Sequence, residues 1–287
     1  MKKNYGYYYI TPLALWLSLF FVIPLGIIFI FSFLEKGLYG GVNLHFSLAA
    51  YKALISPSLL KILWATLYMA TASTFLIIML ALPTAYFIAR SQHKNALLFL
   101  IIIPFWTNFL IRIYAWIAIL GNNGFLNQFL LKLGLIHDYI QFLYNPLAVI
   151  IVITYTYLPF AILPLYSTIE KFDFSLLEAA RDLGSSKFQS ILLVLLPNIR
   201  SGIFSAVLFS FIPAFGAYAI PALVGGSSSF MLGNIIAREL TVTRNWPLAS
   251  AISTVLTLVT MLGVLVFMRQ NSLSSRKQTK EPSTNNA

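Results

Sequence analysis

The sequence predicts an all-α integral membrane protein of six transmembrane helices, and three observations carry that prediction. The 287 residues are 59% apolar and only 9% charged, with mean hydropathy +0.83, whereas a soluble domain carries roughly 25% charged residues. The charges fall so as to leave long uncharged blocks. Lys3 to Glu35 encloses 31 residues, Lys61 to Arg90 28, Asp138 to Glu170 31, Arg200 to Arg238 37 and Arg244 to Arg269 24, and a further block near 96–121 holds only Arg112. Each block is long enough to cross a hydrocarbon core of about 30 Å once, which takes about 20 helical residues. Only a helix satisfies its own backbone hydrogen bonds in lipid, and no alternating ten-residue pattern argues for a barrel.

Taken in order, the spans are expected at about 10–33, 64–89, 96–121, 146–168, 199–224 and 246–268, within one transmembrane domain over 1–270. Lys2 and Lys3 before the first block resemble the start of a signal peptide. The apolar stretch is much longer than a signal core and no small-x-small cleavage site follows, so it reads as an uncleaved span. Tyr5, Tyr7, Tyr8 and Tyr9 suit the headgroup level. The tail 271–287 is rich in Ser, Lys and Asn and is expected to be disordered.

Orientation follows from the cations. With six spans, both termini share a side with the loops near 90–95 and 169–198, and that side holds twelve Lys and Arg against five or six on the other. The termini are therefore expected in the cytoplasm. The formal net charge of +11 is spread too thinly along the chain to track phosphates, so nucleic acid is set aside. With no cysteine there are no disulfides or thiolate metal sites, and His45, His93 and His137 are scattered, so neither metal nor cofactor is expected. The sequence contains no G-x-x-x-x-G-K-[ST] phosphate loop and no catalytic constellation.

One loop stands apart. Residues 167–200 carry four of the eight acids and read as two short helices. Ser175 and Glu178 have the spacing of a capping box, the first helix runs 176–183, and Gly184 stops it. Ser186 and Gln189 repeat the start signal, and Pro197 ends or kinks the second helix after the apolar run 191–196. A plain solvated connector rarely needs two capped helices.

Glu178, Ala179, Ala180, Gly184, Val194, Leu196 and Pro197 stand in the register of the EAA loop of binding-protein-dependent ABC importer permeases, which has Ile where this chain has Val194. The stretches PFWTNFLIRIYAW (104–116), LPLYSTIEKFD (163–173) and IIARELTVTRNWPLASA (235–251) further resemble the first of the two membrane subunits of spermidine/putrescine importers. The resemblance implies a type I importer permease fold with a cytoplasmic coupling helix. In it Glu178, Ala179, Ala180, Arg181, Asp182, Gly184, Leu196 and Pro197 dock on the ATPase. It also implies two ATPase subunits, a second homologous permease, a periplasmic substrate-binding protein and a bacterial inner-membrane location.

Candidate pathway residues come from the third and fifth spans. Asn108, Arg112 and Trp116 are four apart and share one helical stripe, with Arg112 about 24 Å along the span. Such a stripe faces either a water-filled path or polar groups of neighbouring helices. Arg112 would repel a polyamine and is not assigned as a ligand; positioning the helix or meeting acids of the binding protein suits it better. Aromatic faces hold ammonium groups by cation–π contact, and Trp106, Tyr114, Trp116, Phe211, Phe215 and Tyr218 supply them. The spans contain no Asp or Glu, so counter-charges for a polyamine must come from a partner. Pro213, Gly216 and Pro221 mark a bend or gate in the fifth span, or an ordinary membrane-helix kink. Competing functions are an importer for another small solute (an amino acid, sulfate or Fe(III)) and an autonomous carrier or channel. The latter would need intramembrane ionisable residues beyond one Arg. A non-transporting scaffold would leave the EAA loop without a use.

Overall fold

The computed structural model describes residues 6–278. Lys2, Lys3 and Tyr5 lie outside the described residues, as does 279–287 of the expected disordered tail. In chain order the elements begin with α1 (Gly6–Leu17), a π turn (Ser18–Val22) and α2 (Ile23–Phe31). A hairpin of β1 (Leu34–Lys36) and β2 (Val42–Phe46), α3 (Ala49–Leu54) and α4 (Pro57–Arg90) follow. Next come α5 (Lys94–Ile102), a 3₁₀ turn (Ile103–Trp106), α6 (Phe109–Leu120), α7 (Phe125–Lys132) and α8 (Pro146–Ile169). After these lie α9 (Ser175–Asp182), α10 (Lys187–Ser190), a π turn (Ile191–Leu195), α11 (Leu196–Asn198) and α12 (Arg200–Phe215). The chain ends with α13 (Ala219–Val224), a 3₁₀ turn (Ser227–Ser229), α14 (Leu232–Thr241) and α15 (Trp246–Gln278).

Among the described residues five helices are long and apolar enough to cross a membrane, and six are if the bent pair Lys187–Asn198 and Arg200–Phe215 counts as one span. The first, second, fourth and sixth expected spans fall on Tyr9–Phe31, α4, α8 and α15. The third and fifth are interrupted, which corrects the expectation of continuous helices at 96–121 and 199–224. The expected all-α architecture gains a two-stranded sheet, and α15 runs helically to Gln278, eight residues into the segment expected to be disordered. By its internal contacts the chain divides into two compact units.

The first unit comprises, of the described residues, 6–63 and 232–261. Its hairpin pairs Leu34 with Phe46 and Lys36 with Val42, and a Gly-rich turn closes it with Gly40 and Gly41 at positive φ. The Gly41 amide donates to the Arg244 carbonyl at 2.8 Å. A β-carbon on Gly40 would meet the Arg244 side chain at 2.5 Å, so this close approach admits only glycine. Phe33 stacks on Phe46 and meets Tyr51 at a tilt, and Ser32 and Tyr51 hydroxyls meet at 2.8 Å. The first span has no buried residues of its own within this chain. Its hydropathy of 2.6 suits a helix that faces hydrocarbon.

The second unit comprises, of the described residues, 64–231 and 262–278 and holds the candidate site. Helix α8 is its centre. Asn145 caps it by accepting from the Ala148 amide at 2.9 Å, Pro146 sits where no amide partner is needed, and half of its apolar window is buried. Helix α12 crosses it closely at Gly202, where a β-carbon would stand 2.5 Å from the Thr168 hydroxyl. Such small-residue contacts are how helices associate where lipid offers no hydrophobic gain.

Candidate functional site

The EAA segment folds from its caps outward. Phe174 is the N-cap residue of α9 and Ser175 its first helical residue, one position off the expected capping box. The correction has a simple cause: Asp173 takes the capping role, its carboxylate accepting from the Ser175 amide at 3.0 Å. Hydrogen bonds from the Ser175 side chain and backbone hold the Asp173 carboxyl below its ordinary range. Glu178 is left free of capping work, in the first turn of α9.

At the other end, Gly184 takes φ +93°. Its amide donates to the Arg181 carbonyl at 2.8 Å, and the Ser185 amide donates to the Ala180 carbonyl at 3.1 Å. These two bonds are a Schellman closure, which needs a left-handed residue and therefore favours glycine. Ser186 and Gln189 then form the expected capping box of α10, at 3.2 and 3.0 Å. Of the two outcomes expected at Pro197, an end or a kink, the structure has helical backbone up to Asn198 and then a bend. The π turn lets the Leu196 amide reach the Ile191 carbonyl, Pro197 sits in the first turn of α11 where its missing N–H costs nothing, and Asn198 Nδ2 donates to the Val194 carbonyl at 2.7 Å. The chain bends by 75° one residue later, at buried Ile199.

Leu177 anchors α9. It is buried in a cluster with Ile88, Leu165, Ile169, Leu195 and Ile199. Glu178, Ala179, Asp182, Gly184 and Pro197 are exposed, while Ala180, Arg181 and Leu196 are half-buried. Arg181 keeps its Nε buried without a hydrogen-bond partner. Beside these residues stand three large apolar side chains open to solvent: Leu183 at 89%, Leu193 at 72% and Phe188 at 69% exposure. Sequence reasoning missed them. The signal was present, since all three lie outside the expected spans, Leu183 and Phe188 flanking the Gly184–Ser186 turn and Leu193 lying in the apolar run 191–196.

The candidate pathway residues are reordered by the break in the third span. Pro104 carries no N–H and lies in the 3₁₀ turn, Thr107 and Asn108 are extended at ψ 149° and 136°, and Asn108 caps α6 by accepting from the Leu110 amide at 2.8 Å. Asn108 is therefore a cap and not part of a continuous stripe. Arg112 and Trp116 remain one turn apart on α6. Trp116 packs edge-on against Tyr155 at 5.4 Å. The Arg112 guanidinium lies 4.6 Å over Phe105 and 5.9 Å over Phe109, with Nε and Nη1 buried and unpartnered. Trp106, against the edge of Phe99, is 77% exposed, and Tyr114 and Tyr218 are also exposed.

In the fifth span Phe211 stacks on Phe215 at 5.4 Å. Phe215 is only 2% exposed, so it packs inside the chain instead of lining a path as expected. Helix α12 holds Pro213 in its last turn, Gly216 caps its C-terminus, and α13 restarts at Ala219 with Pro221 in its first turn. The break at 216–218 thus falls between two residues that cannot donate backbone hydrogen bonds.

The arrangement can bind and transmit; among the described residues no group of His, Cys, Asp or Glu could hold a metal ion. Residues 73–280 match the family described as binding-protein-dependent transport system inner membrane component. The chain is 41% identical over 270 residues to the spermidine/putrescine transport system permease protein PotB of Escherichia coli K12, covering 93% of this chain and 98% of that protein. It is 38% identical over 264 residues to the PotB of Haemophilus influenzae, covering 91% and 92%. Among solved structures it resembles a bacterial ABC transporter that imports alginate, with TM-score 0.72 at 16% identity over 94% of each chain. It also resembles the MetNI methionine ABC transporter, with TM-score 0.54 at 19% identity over 75% of this chain and 97% of that one. At such identities the structures speak for the fold alone.

Proposed function

The chain belongs to the family of binding-protein-dependent transport system inner membrane components, and from that premise we propose that it is the permease subunit of an ATP-driven importer that carries polyamines, spermidine or putrescine, into the cytoplasm. The observation that carries the reading is the likeness over nearly the whole length to relatives named for spermidine/putrescine transport. The local support is the EAA segment: a capped helix closed at Gly184, with an anchored face at Leu177 and an exposed face at Glu178, Ala179 and Asp182.

In this reading both termini and α9 lie in the cytoplasm, as the cation count favours. Helix α9, with Leu183, Phe188 and Leu193 beside it, seats in an ATPase subunit, which explains why large apolar side chains stay open on a loop outside the spans. Two ATPase subunits hydrolyse ATP, a second permease completes the path, and a periplasmic binding protein delivers the solute. Trp106, Tyr114 and Tyr218 offer aromatic faces to ammonium groups. The interruptions at 107–108 and 216–218 are where the path bends or gates. Carboxylates come from the partner permease or the binding protein, since no Asp or Glu lies in the expected spans.

The test is uptake by vesicles holding the assembled complex. Labelled spermidine accumulates only with ATP on the side of α9 and binding protein on the other. Binding-protein-dependent uptake of a different solute, without competition by spermidine, would retire the polyamine assignment while leaving the importer.

A further inference from the structure

Arg90 ends α4 and Lys94 begins α5, with three residues of turn between them. Each reaches the short segment that joins α8 to α9. The Arg90 guanidinium lies 5.5 Å over the ring of Phe174 and 5.9 Å over that of Tyr86, and its Nη1 donates to the Tyr86 hydroxyl at 3.1 Å. The Lys94 ammonium stands 2.6 Å from a Glu170 carboxylate oxygen. Glu170 is the C-cap of α8 and Phe174 the N-cap of α9. Two cations four positions apart therefore hold the two ends of a segment whose ends are also four apart. Phe172 and Tyr86 meet the Phe174 ring edge-on at 5.5 and 6.1 Å and close the apolar side.

The signs of the ion pair are informative. Lys94 is the first residue of α5, where the helix dipole favours an acid, and Glu170 caps the C-terminus of α8, where it favours a base. Each charge is the wrong one for its own helix. A half-exposed pair also adds little to stability. Helix stability therefore explains neither residue, whereas contact across the corner explains both.

We infer that Arg90 and Lys94 are positioning residues that clamp the segment 170–174, so that displacement of α9 is passed into α4 and α5. The inference rests on α9 being the coupling helix. Helix α5 carries the displacement along the 3₁₀ turn to the break at Thr107–Asn108, beside Trp106 and Arg112. The clamp thus joins the EAA segment to the interrupted third span.

The experiment uses the full complex in vesicles and reads labelled spermidine accumulated per ATP hydrolysed. Lys94→Met and Glu170→Gln each lower this ratio, and the exchange Lys94→Glu with Glu170→Lys restores it, because contact is regained and both helix dipoles are now complemented. Arg90→Leu lowers the ratio and Arg90→Lys, which keeps a cation over Phe174, recovers part of it. Single variants at the wild-type ratio overturn the inference. So does an exchange variant as poor as the singles, or one that fails to assemble. A wild-type complex whose hydrolysis ignores the loaded binding protein refutes the coupling reading itself, a distinguishable result.

Discussion

Replacing Gly184 tests the EAA segment through one backbone torsion. The residue sits at φ +93°, and a β-carbon built on it meets nothing within 4 Å. Steric conflict with neighbours is therefore absent, and the whole cost is that of forcing an L-residue into left-handed backbone, about 1–2 kcal/mol. That corresponds to about 5–30-fold in the population of the closed turn. If the turn opens instead, the bonds from Gly184 to Arg181 and from Ser185 to Ala180 are lost, and the capping box at Ser186 is no longer delivered to α10. Asparagine tolerates positive φ better than other non-glycine residues, and a β-branched residue tolerates it worst. In the reconstituted complex the ratio of spermidine transported to ATP hydrolysed falls in the order Gly, Asn, Ala, Val, while the amount of assembled complex stays close to wild type. Gly184→Asp, nearly the shape of Asn, isolates the effect of an added negative charge and uncouples hydrolysis from uptake. Alanine performing as well as glycine, or valine as well as asparagine, would refute the argument, because the torsion would then be immaterial.

Three further outcomes follow from local geometry. Ser186→Ala removes one side of the capping box and costs α10 about 1 kcal/mol, read as faster amide exchange over 187–190. Gly202→Ala forces a β-carbon to within 2.5 Å of the Thr168 hydroxyl, an overpacking worth about 1–3 kcal/mol, and the permease in detergent melts at a lower temperature. Thr168→Gly in the same chain returns most of that loss. The Lys94–Glu170 contact has a defined pH window. Hydrogen bonds from Lys94 and Tyr166 hold the Glu170 carboxyl below its ordinary value, with Lys171 adding in the same direction, so its stabilisation is present above that value and lost as pH falls through the lowered one. Glu170 raises Lys94 above 10.5, so the base limb is lost only beyond the ordinary lysine range. The stability difference between wild type and Lys94→Met is flat through neutral pH, vanishes in acid, and shrinks in 1 M salt, where the screening length is about 3 Å.

Four of six spans were legible because lipid imposes the same rule on every residue of a span, so a missing charge is a long-range signal. The interruptions were not. At 107–108 the chain stays apolar on both sides apart from Arg112, and what breaks the helix is one missing amide at Pro104 followed by a side-chain cap from Asn108. Hydropathy cannot register a backbone torsion. The same local competition shifted the start of α9. Asp173 and Ser175 are both good caps, and the choice between them turns on where Leu177 must point to enter the core. The hairpin 34–46 was missed because its pairing depends on positive-φ glycines that abut Arg244, a residue about two hundred positions away.

The EAA register, by contrast, was readable residue by residue, and the reason is that its requirements are backbone requirements. Gly184 must be left-handed, Ser186 must cap, and Pro197 must fall where a missing amide is harmless. These depend on sequence position alone, so spacing encodes them. A pathway residue has no such signature: Phe215 and Tyr218 lie three apart in one aromatic run, yet one is 2% and the other 54% exposed, because the helix ends between them at Gly216. Exposure here is decided by the break and not by residue type. Restoring continuous helix across 216–218 would therefore change which aromatic faces outward. Gly216→Ala, whose β-carbon finds only ordinary contact at 3.7 Å from the Ile212 carbonyl, is the substitution that separates the role of the break from the role of the rings.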